Sequence, residues 1–209
     1  MKISKAITLA ALIGMPYTAF SDEDLVSDRK PSLEYRAGIH ANVFDEQTSW
    51  VESVIEISRN SGYAFVVDKS ARQMDLYFRG VHIDSFDVSL SIEEPLEAKL
   101  YEDDGRVPEG VYHITKKKNV GESSFHRALM LNFPNKRDWV NFREAKRKGL
   151  IPPGVRRPGR YIAIHGDRKD KDGDWTEGCI ALTNGDIDSL YHLIKPGTPV
   201  AIVKTYKKK

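Results

Sequence analysis

Apolar residues follow two different spacings on either side of position 62. Between residues 46 and 60 they recur mostly every three or four positions, and Ser61-Gly62 follows as a stop signal, so this segment is predicted to be a helix. From Tyr63 onwards, short segments rich in β-branched and aromatic residues are separated by turn dipeptides such as Arg79-Gly80, which is typical of strands. We predict strands over residues 63–68, 74–78, 81–91, 110–115, 128–133, 161–164 and 199–203.

Two later segments carry helical signals. Residues 138–148 are predicted to be helical. Thr183 and Asp186 have the spacing of an N-terminal capping box, and the helix that they open is predicted to continue through Ile194 until Lys195-Pro196-Gly197 ends it. Strands do not alternate regularly with helices, and no internal repeat is present. The predicted fold class is therefore mainly β with peripheral α-helices.

The first 21 residues have the features of a signal peptide. Lys2 and Lys5 precede an apolar stretch over residues 6–15, and Ala19-Phe20-Ser21 supplies a small-residue cleavage site. The apolar stretch is about half the length needed to span a bilayer as a helix. We predict a signal peptide over 1–21, a leader and helix over 22–62, one main domain over 63–204 and a basic tail over 205–209. The mature chain is expected to be exported and to lack a transmembrane segment.

Charge and metal-ligand patterns exclude some functions. The chain has 32 basic and 30 acidic residues, and cleavage after Ser21 would remove two lysines and leave 30 of each, so nucleic acid is not expected as a partner. The acidic loop over residues 167–174 lacks carboxylates at the first and twelfth positions of a calcium loop, and is predicted to be a solvated flap. The histidines form no zinc-binding pair, so no metal or cofactor is predicted.

Cys179 is the chain's single cysteine, so an exported protein cannot close it into an internal disulfide. It is either a buried, inert hydrophobe or a nucleophile. A thiol is mostly protonated at neutral pH and needs a base beside it to attack efficiently. His165, at the end of a predicted strand, is the candidate base. Gly178 permits a turn whose amides, with that of Cys179, could hold an oxyanion. Composition and spacing alone leave both interpretations open.

Several ordered segments resemble the L,D-transpeptidase catalytic domain family of the YkuD type, and within it the YafK-like branch. They are residues 103–112, Phe125 with residues 129–135, residues 164–166, residues 176–182 and residues 197–200, and together they cover roughly residues 63–204. The resemblance implies a β-sandwich or flattened barrel. It also implies a bacterial periplasmic enzyme that acts on peptidoglycan stem peptides.

The resemblance also assigns roles to individual residues. Cys179 matches the family's nucleophile and His165 its base, Gly166 matches the position whose carbonyl orients the imidazole, and Gly178 contributes to the oxyanion site. Five neighbouring residues are candidates for substrate binding: Trp175, Thr176, Glu177, His126 and Arg127. The commoner family pattern has a second histidine where this chain has Glu177, and an arginine where it has Ala181. The residues that bind the substrate carboxylate are therefore left open.

The implied reaction is attack by Cys179 on the peptide bond after the L-centre of meso-diaminopimelate, which gives a thioester. An amine acceptor would then yield a cross-link, D-amino-acid exchange or attachment of an envelope lipoprotein. With water as the acceptor, the same enzyme would be a thiol hydrolase, for example one that releases lipoprotein from peptidoglycan. A non-catalytic wall-binding module is a third possibility. The residues around the nucleophile do not separate these outcomes.

Overall fold

One half-barrel sheet of eight strands is the framework of the described chain. The structure, a computed structural model, describes residues 33–168 and 173–207, with side chains from residue 46 onwards. Within this part of the chain, the residues from Ile39 onwards form one compact unit. The predicted signal peptide lies outside the described residues, as do residues 22–32 of the predicted leader, residues 169–172 of the flap and the last two residues of the tail.

The strands and helices have the following bounds. The strands are β1 (Tyr63–Asp68), β2 (Gln73–Phe78), β3 (Val81–Asp87), β4 (Gly110–Lys118), β5 (Ala128–Leu131), β6 (Ala163–His165), β7 (Ile180–Ala181) and β8 (Pro199–Val203). The helices are α1 (Leu33–Ser61), α2 (Lys136–Arg147) and α3 (Asn184–Tyr191). The spatial order is β3-β2-β1-β8-β4-β5-β6-β7, in which the β1–β8 and β6–β7 pairs are parallel and the other pairs antiparallel. The predicted fold class is confirmed.

The central strands are covered on both faces. Along β1, Phe65 and Val67 point into the main core, whereas Ala64 and Val66 point towards a second cluster that contains Val54 of α1. This follows from the two-residue period of a strand. All residues of β1 after Tyr63 are buried. The main core continues beneath the second half of the sheet, where α3 covers it, so that half is held rigidly.

Some predicted boundaries differ from the structure. Helix α1 begins before residue 46, the first position of the prediction. Strand β3 ends at Asp87 rather than at residue 91, and Ser89 and Ser91 form single bridges to Ala181 and Thr176 instead. The prediction of one long strand was therefore wrong. The segment after β3 leaves its neighbour β2 and bonds instead to the residues on either side of Cys179.

Helix α3 begins as predicted but ends earlier. The Thr183 hydroxyl accepts from the Asp186 backbone N–H at 3.2 Å and donates to the Asp186 carboxylate at 2.6 Å, so the acid bonds the hydroxyl. The helix ends at Tyr191, and a turn carries Ile194 into the core. Within the described residues, no helix combines the length and apolar character that crossing a membrane requires.

Candidate active site

His165 is the last residue of β6, and its side chain is completely buried. Its Nδ1 lies 2.7 Å from the carbonyl oxygen of Gly166. Because a carbonyl oxygen can only accept, Nδ1 carries the hydrogen and Nε2 keeps its lone pair. Nε2 is buried and has no hydrogen-bond partner among the described residues. The imidazole is thus held in the tautomer that can take up a proton at Nε2.

The carbonyl of Gly166 is held in position by its neighbours. The Gly166 N–H donates to the carbonyl of Arg127 at 3.1 Å. A Cβ at position 166 would lie 2.6 Å from Oδ1 of Asn184, the first residue of α3, and that oxygen already accepts from the Asp167 N–H at 2.6 Å. A side chain therefore does not fit here, and the start of α3 fixes the backbone that orients His165.

Two aromatic rings enclose the imidazole. The Phe125 ring stacks on it with centroids 3.6 Å apart and an interplanar angle of 12°, and the Trp175 ring meets it edge-on at 5.7 Å. Burial lowers the pKa of His165 below its ordinary value, and the hydrogen bond to Gly166 opposes this shift. The imidazole is consequently neutral at neutral pH. The indole Nε1 of Trp175 is also buried without a partner among the described residues.

Cys179 lies in a tight turn just before β7. Gly178 has a φ of +115°, and a Cβ there would lie 2.6 Å from the carbonyl oxygen of Arg106. Thr176 closes the turn, because its hydroxyl donates to the Cys179 carbonyl at 2.7 Å and accepts from the Gly178 N–H at 3.4 Å. The turn thus depends on a glycine and on a buried threonine hydroxyl that bonds within the turn.

The carbonyl of Arg106 belongs to a second turn, built around Asp104. The Asp104 carboxylate accepts from the N–H groups of Leu100, Tyr101 and Arg106 at 2.7, 3.1 and 3.1 Å. It also pairs with the buried ammonium of Lys99 at 2.7 Å. Residues 103–112 form one of the segments that resemble the family, although they lie far from Cys179 in sequence. The turn around Asp104 gives this segment a structural role. It fixes the backbone against which Gly178 packs.

The thiol of Cys179 is protonated at rest. Burial raises its pKa, while a hydrogen bond from the Ala163 N–H and the positive charge of Lys99 act in the opposite direction. The side chain nevertheless reaches the surface in part. Both members of the candidate pair are therefore neutral, so a base has to remove the thiol proton during attack.

The sheet register relates the two side chains. Strands β6 and β7 pair in parallel with Ile164 opposite Ile180 and His165 opposite Ala181, and Cys179 directly precedes β7, where the Ala163 N–H of β6 bonds its thiol. The thiol lies 3.7 Å from the carbonyl oxygen of Tyr161, to which it donates. In this structure the sulfur bonds Tyr161 rather than Nε2. Catalytic hydrogen bonds are often long or misaligned until substrate binds.

A cleft of about 530 Å³ opens beside these residues. Phe125, Tyr161 and Ala163, all neighbours of the catalytic candidates, line it together with the loop over residues 121–124. Lys118, at the end of β4, also lines it and makes no ion pair with any residue that the structure describes. The sequence analysis missed Lys118, because nothing in the run of lysines at 116–118 distinguishes it.

Three of the predicted substrate-binding residues, His126, Arg127 and Glu177, are not among the residues that line this cleft. His126 contacts Oδ1 of Asp188 at 2.8 Å through Nε2, and Arg127 pairs with the same oxygen at 3.0 Å. The Arg127 guanidinium also lies 4.6 Å from the centre of the Tyr191 ring. Both side chains are thus engaged by α3. Glu177 is exposed to solvent.

The fold is that of an L,D-transpeptidase catalytic domain. The family model described as YkuD, L,D-transpeptidase catalytic domain, matches residues 62–202, and the chain belongs to this family. The resemblance read from the sequence is confirmed. Membership indicates an enzyme-type domain with a function related to peptidoglycan.

Individual relatives agree with this assignment. The protein YafK of Escherichia coli K12 is 26% identical over 130 residues, which are 60% of this chain and 44% of YafK. Among solved structures, Bd1075 of Bdellovibrio bacteriovorus matches with a TM-score of 0.50 and 22% identity, over 69% of this chain and 49% of that one. The helical cell shape determining protein Pgp2 of Campylobacter jejuni matches with a TM-score of 0.50 and 20% identity, over 77% and 56%. The chain therefore spans about half the length of these relatives.

Proposed function

We propose that this protein is a peptidoglycan-modifying cysteine L,D-transpeptidase, with Cys179 as nucleophile and His165 as base. The observation that carries the proposal is the state of the imidazole. Its Nδ1–H is fixed on Gly166, and its Nε2 lone pair is buried without a partner among the described residues, at the end of the strand that pairs with the one Cys179 precedes. A buried acceptor without a partner costs free energy, and accepting the thiol proton is a function that accounts for it here.

The first half-reaction follows from this arrangement. A stem peptide enters the cleft with the carbonyl after the L-centre of diaminopimelate beside Cys179. The thiol hydrogen leaves the Tyr161 carbonyl and passes to Nε2 of His165 while sulfur attacks the carbonyl carbon. The N–H of Cys179 stabilises the oxyanion, and the N–H of Gly178 joins it by leaving the Thr176 hydroxyl, to which it donates at 3.4 Å in this structure. The C–N bond then breaks, Nε2 returns the proton to the departing amine, and a thioester remains.

The second half-reaction depends on the acceptor. An amine from another stem, a D-amino acid or a lipoprotein lysine gives transfer, and water gives hydrolysis. In each case His165 takes a proton from the attacking group and Cys179 recovers it as the thiol re-forms. The substrate is a bacterial wall polymer, so the proposed location is the periplasm, reached through a cleaved signal peptide over residues 1–21.

Lys118 is proposed to bind a free carboxylate of the stem peptide. Lys118 lines the cleft, as does Glu122, but it makes no ion pair with any described residue, whereas His126 and Arg127 are engaged by Asp188. A cation without a partner beside a binding cleft favours an anionic ligand. Thr176, whose hydroxyl bonds inside the turn, is proposed to position Cys179. Trp175 is proposed to shield the imidazole of His165 from solvent.

Covalent labelling tests the catalytic pair. Incubation with a carbapenem should add one drug mass to the intact protein, and digestion should locate the adduct on Cys179. Cys179→Ser should abolish the adduct, and His165→Ala should slow its formation by about 10²-fold or more. His113→Ala, which removes an exposed imidazole, serves as the matched control and should label normally. Unchanged labelling of His165→Ala would refute the assigned base.

Muropeptides then separate the outcomes. Purified enzyme is incubated with tetrapeptide muropeptides and with lipoprotein-linked muropeptides, with and without added D-amino acid. Dimers or exchanged stems identify a transferase, whereas shortened stems or released lipoprotein identify a hydrolase. A protein that labels with carbapenem but changes neither substrate would contradict the proposed substrate class.

A further inference from the structure

The outward face of helix α2 carries cations and exposed apolar side chains together. Lys136, Val140, Arg143 and Arg147 have the i, i+4, i+7, i+11 spacing that places residues on one side of a helix. All four are exposed, and Trp139 borders them with 37% of its surface accessible. We propose that this side of α2, the α2 outer face, docks on an anionic phospholipid surface.

The three cations of the α2 outer face are available to bind an anionic partner. Lys136, Arg143 and Arg147 make no ion pair with any residue that the structure describes, whereas Arg137 nearby pairs with Glu46. Of the two acids in the helix, Asp138 is buried and caps the first turn, and Glu144 is half-buried. Positive charge on this face is therefore not neutralised locally, although the mature chain as predicted is neutral overall.

The apolar residues favour lipid over a hydrophilic polymer. Val140 and Trp139 are 44% and 37% exposed on the helix, and Leu150, just beyond its end, is 59% exposed. Val140 and Leu150 gain little from contact with a sugar or peptide polymer, but they lose water-exposed area in the interface of a bilayer. Tryptophan beside lysine and arginine is the composition typical of interfacial helices.

The helix is anchored so that this face stays outward. Phe142 and Ala145 on the opposite side pack against Ile151 in a separate small cluster. The side chain of Asn135 and the carboxylate of Asp138 close a capping box at the N-terminus, and Asp138 also accepts from the Tyr112 hydroxyl at 2.8 Å. Docking thus requires no rearrangement of α2. The cleft lies on other elements and can remain open.

Vesicle binding tests the proposal with the full chain. Binding should be detected on phosphatidylcholine vesicles that contain phosphatidylglycerol, should be much weaker on phosphatidylcholine alone, and should fall with salt. Each cation near an anionic surface contributes about fivefold in affinity, so Lys136→Gln/Arg143→Gln/Arg147→Gln should bind about a hundredfold more weakly. The matched control Lys116→Gln/Lys195→Gln/Lys204→Gln removes equal charge elsewhere and should lose far less.

The fluorescence of Trp139 reports whether the α2 outer face itself meets the lipid. Vesicle binding through the apolar amino-terminal residues would not change this signal. The fluorescence difference between wild type and Trp139→Phe should shift to shorter wavelength on phosphatidylglycerol vesicles and should be quenched by brominated lipid chains. Equal binding by both triple variants, or no quenching of Trp139, would overturn the proposal. Binding to isolated wall polymer without binding to vesicles would also overturn it and would assign the face to that polymer.

Discussion

Gly178 offers a sharp test of how the nucleophile turn is built. An alanine Cβ at this position would lie 2.6 Å from the carbonyl oxygen of Arg106, whereas ordinary contact begins at 3.4 Å. The obstacle is a backbone atom in the turn that Asp104 fixes, so it cannot rotate away as a flexible side chain could. The φ of +115° is also one that residues with a Cβ rarely adopt.

The expected cost of Gly178→Ala follows from these two effects. Holding an L-residue in a strained backbone region costs about 1 to 3 kcal/mol, and overpacking of this kind costs about 1 to 3 kcal/mol more. Alanine recovers up to about 1 kcal/mol by restricting the unfolded chain. The free energy of unfolding should therefore fall by about 1 to 6 kcal/mol, or the turn should shift and displace Cys179.

Denaturant unfolding measures the first result and carbapenem acylation under native conditions the second. Gly185→Ala is the matched control, because its Cβ would have only Thr183 Oγ1 nearby, at 4.0 Å, and it lies in the first turn of α3. This control should be unchanged or more stable by up to about 1 kcal/mol. A Gly178→Ala protein with both the stability and the acylation rate of the wild type would refute the account of the turn.

Three other changes probe the base and the cleft. Phe125→Ala uncovers the imidazole and should raise the pKa of His165 towards its ordinary 6.5, which moves the acid limb of the acylation rate to higher pH; an unmoved limb contradicts the role of the ring. Because the folded pKa is lowered, protonation favours the unfolded chain, and the stability that neutral His165 confers is lost as the pH falls from about 6.5 through the folded pKa. Unfolding at neutral and mildly acidic pH should therefore show a smaller acid loss in His165→Gln than in the wild type. Lys118→Met should raise KM for tetrapeptide muropeptides about tenfold with little change in kcat, and Lys116→Met should change neither.

Two continuous apolar strands were predicted to the residue. The bounds predicted for β1 and β8 are those observed, because each is a short apolar run that turn residues delimit. The two-residue strand β7 was missed, since a segment so short carries no periodicity. Its existence depends on pairing with β6, a contact between distant parts of the chain.

The candidate site likewise contains residues that the sequence predicts and contacts that it does not. Cys179 and His165 could be picked out because a lone thiol and a histidine have recognisable chemistry. The fit of Gly178 against Arg106 and the stacking of Phe125 on His165 arise only from packing. Lys118 shows the limit most clearly. Lys117 of the same run lies 4.3 Å from the centre of the Tyr191 ring, and only the folded strand distinguishes it from Lys118, which lines the cleft.

The charge states of the two groups also bear on how a single free cysteine avoids oxidation. Burial raises the pKa of Cys179 and lowers that of His165, so neither group is charged at rest. Oxidation and mixed-disulfide formation proceed through the thiolate, and a protonated thiol resists both. In the proposed mechanism, the thiolate forms only when Nε2 takes the proton during attack on a bound substrate. The burial that protects the thiol is therefore compatible with catalysis, provided that the neutral imidazole stays oriented by Gly166.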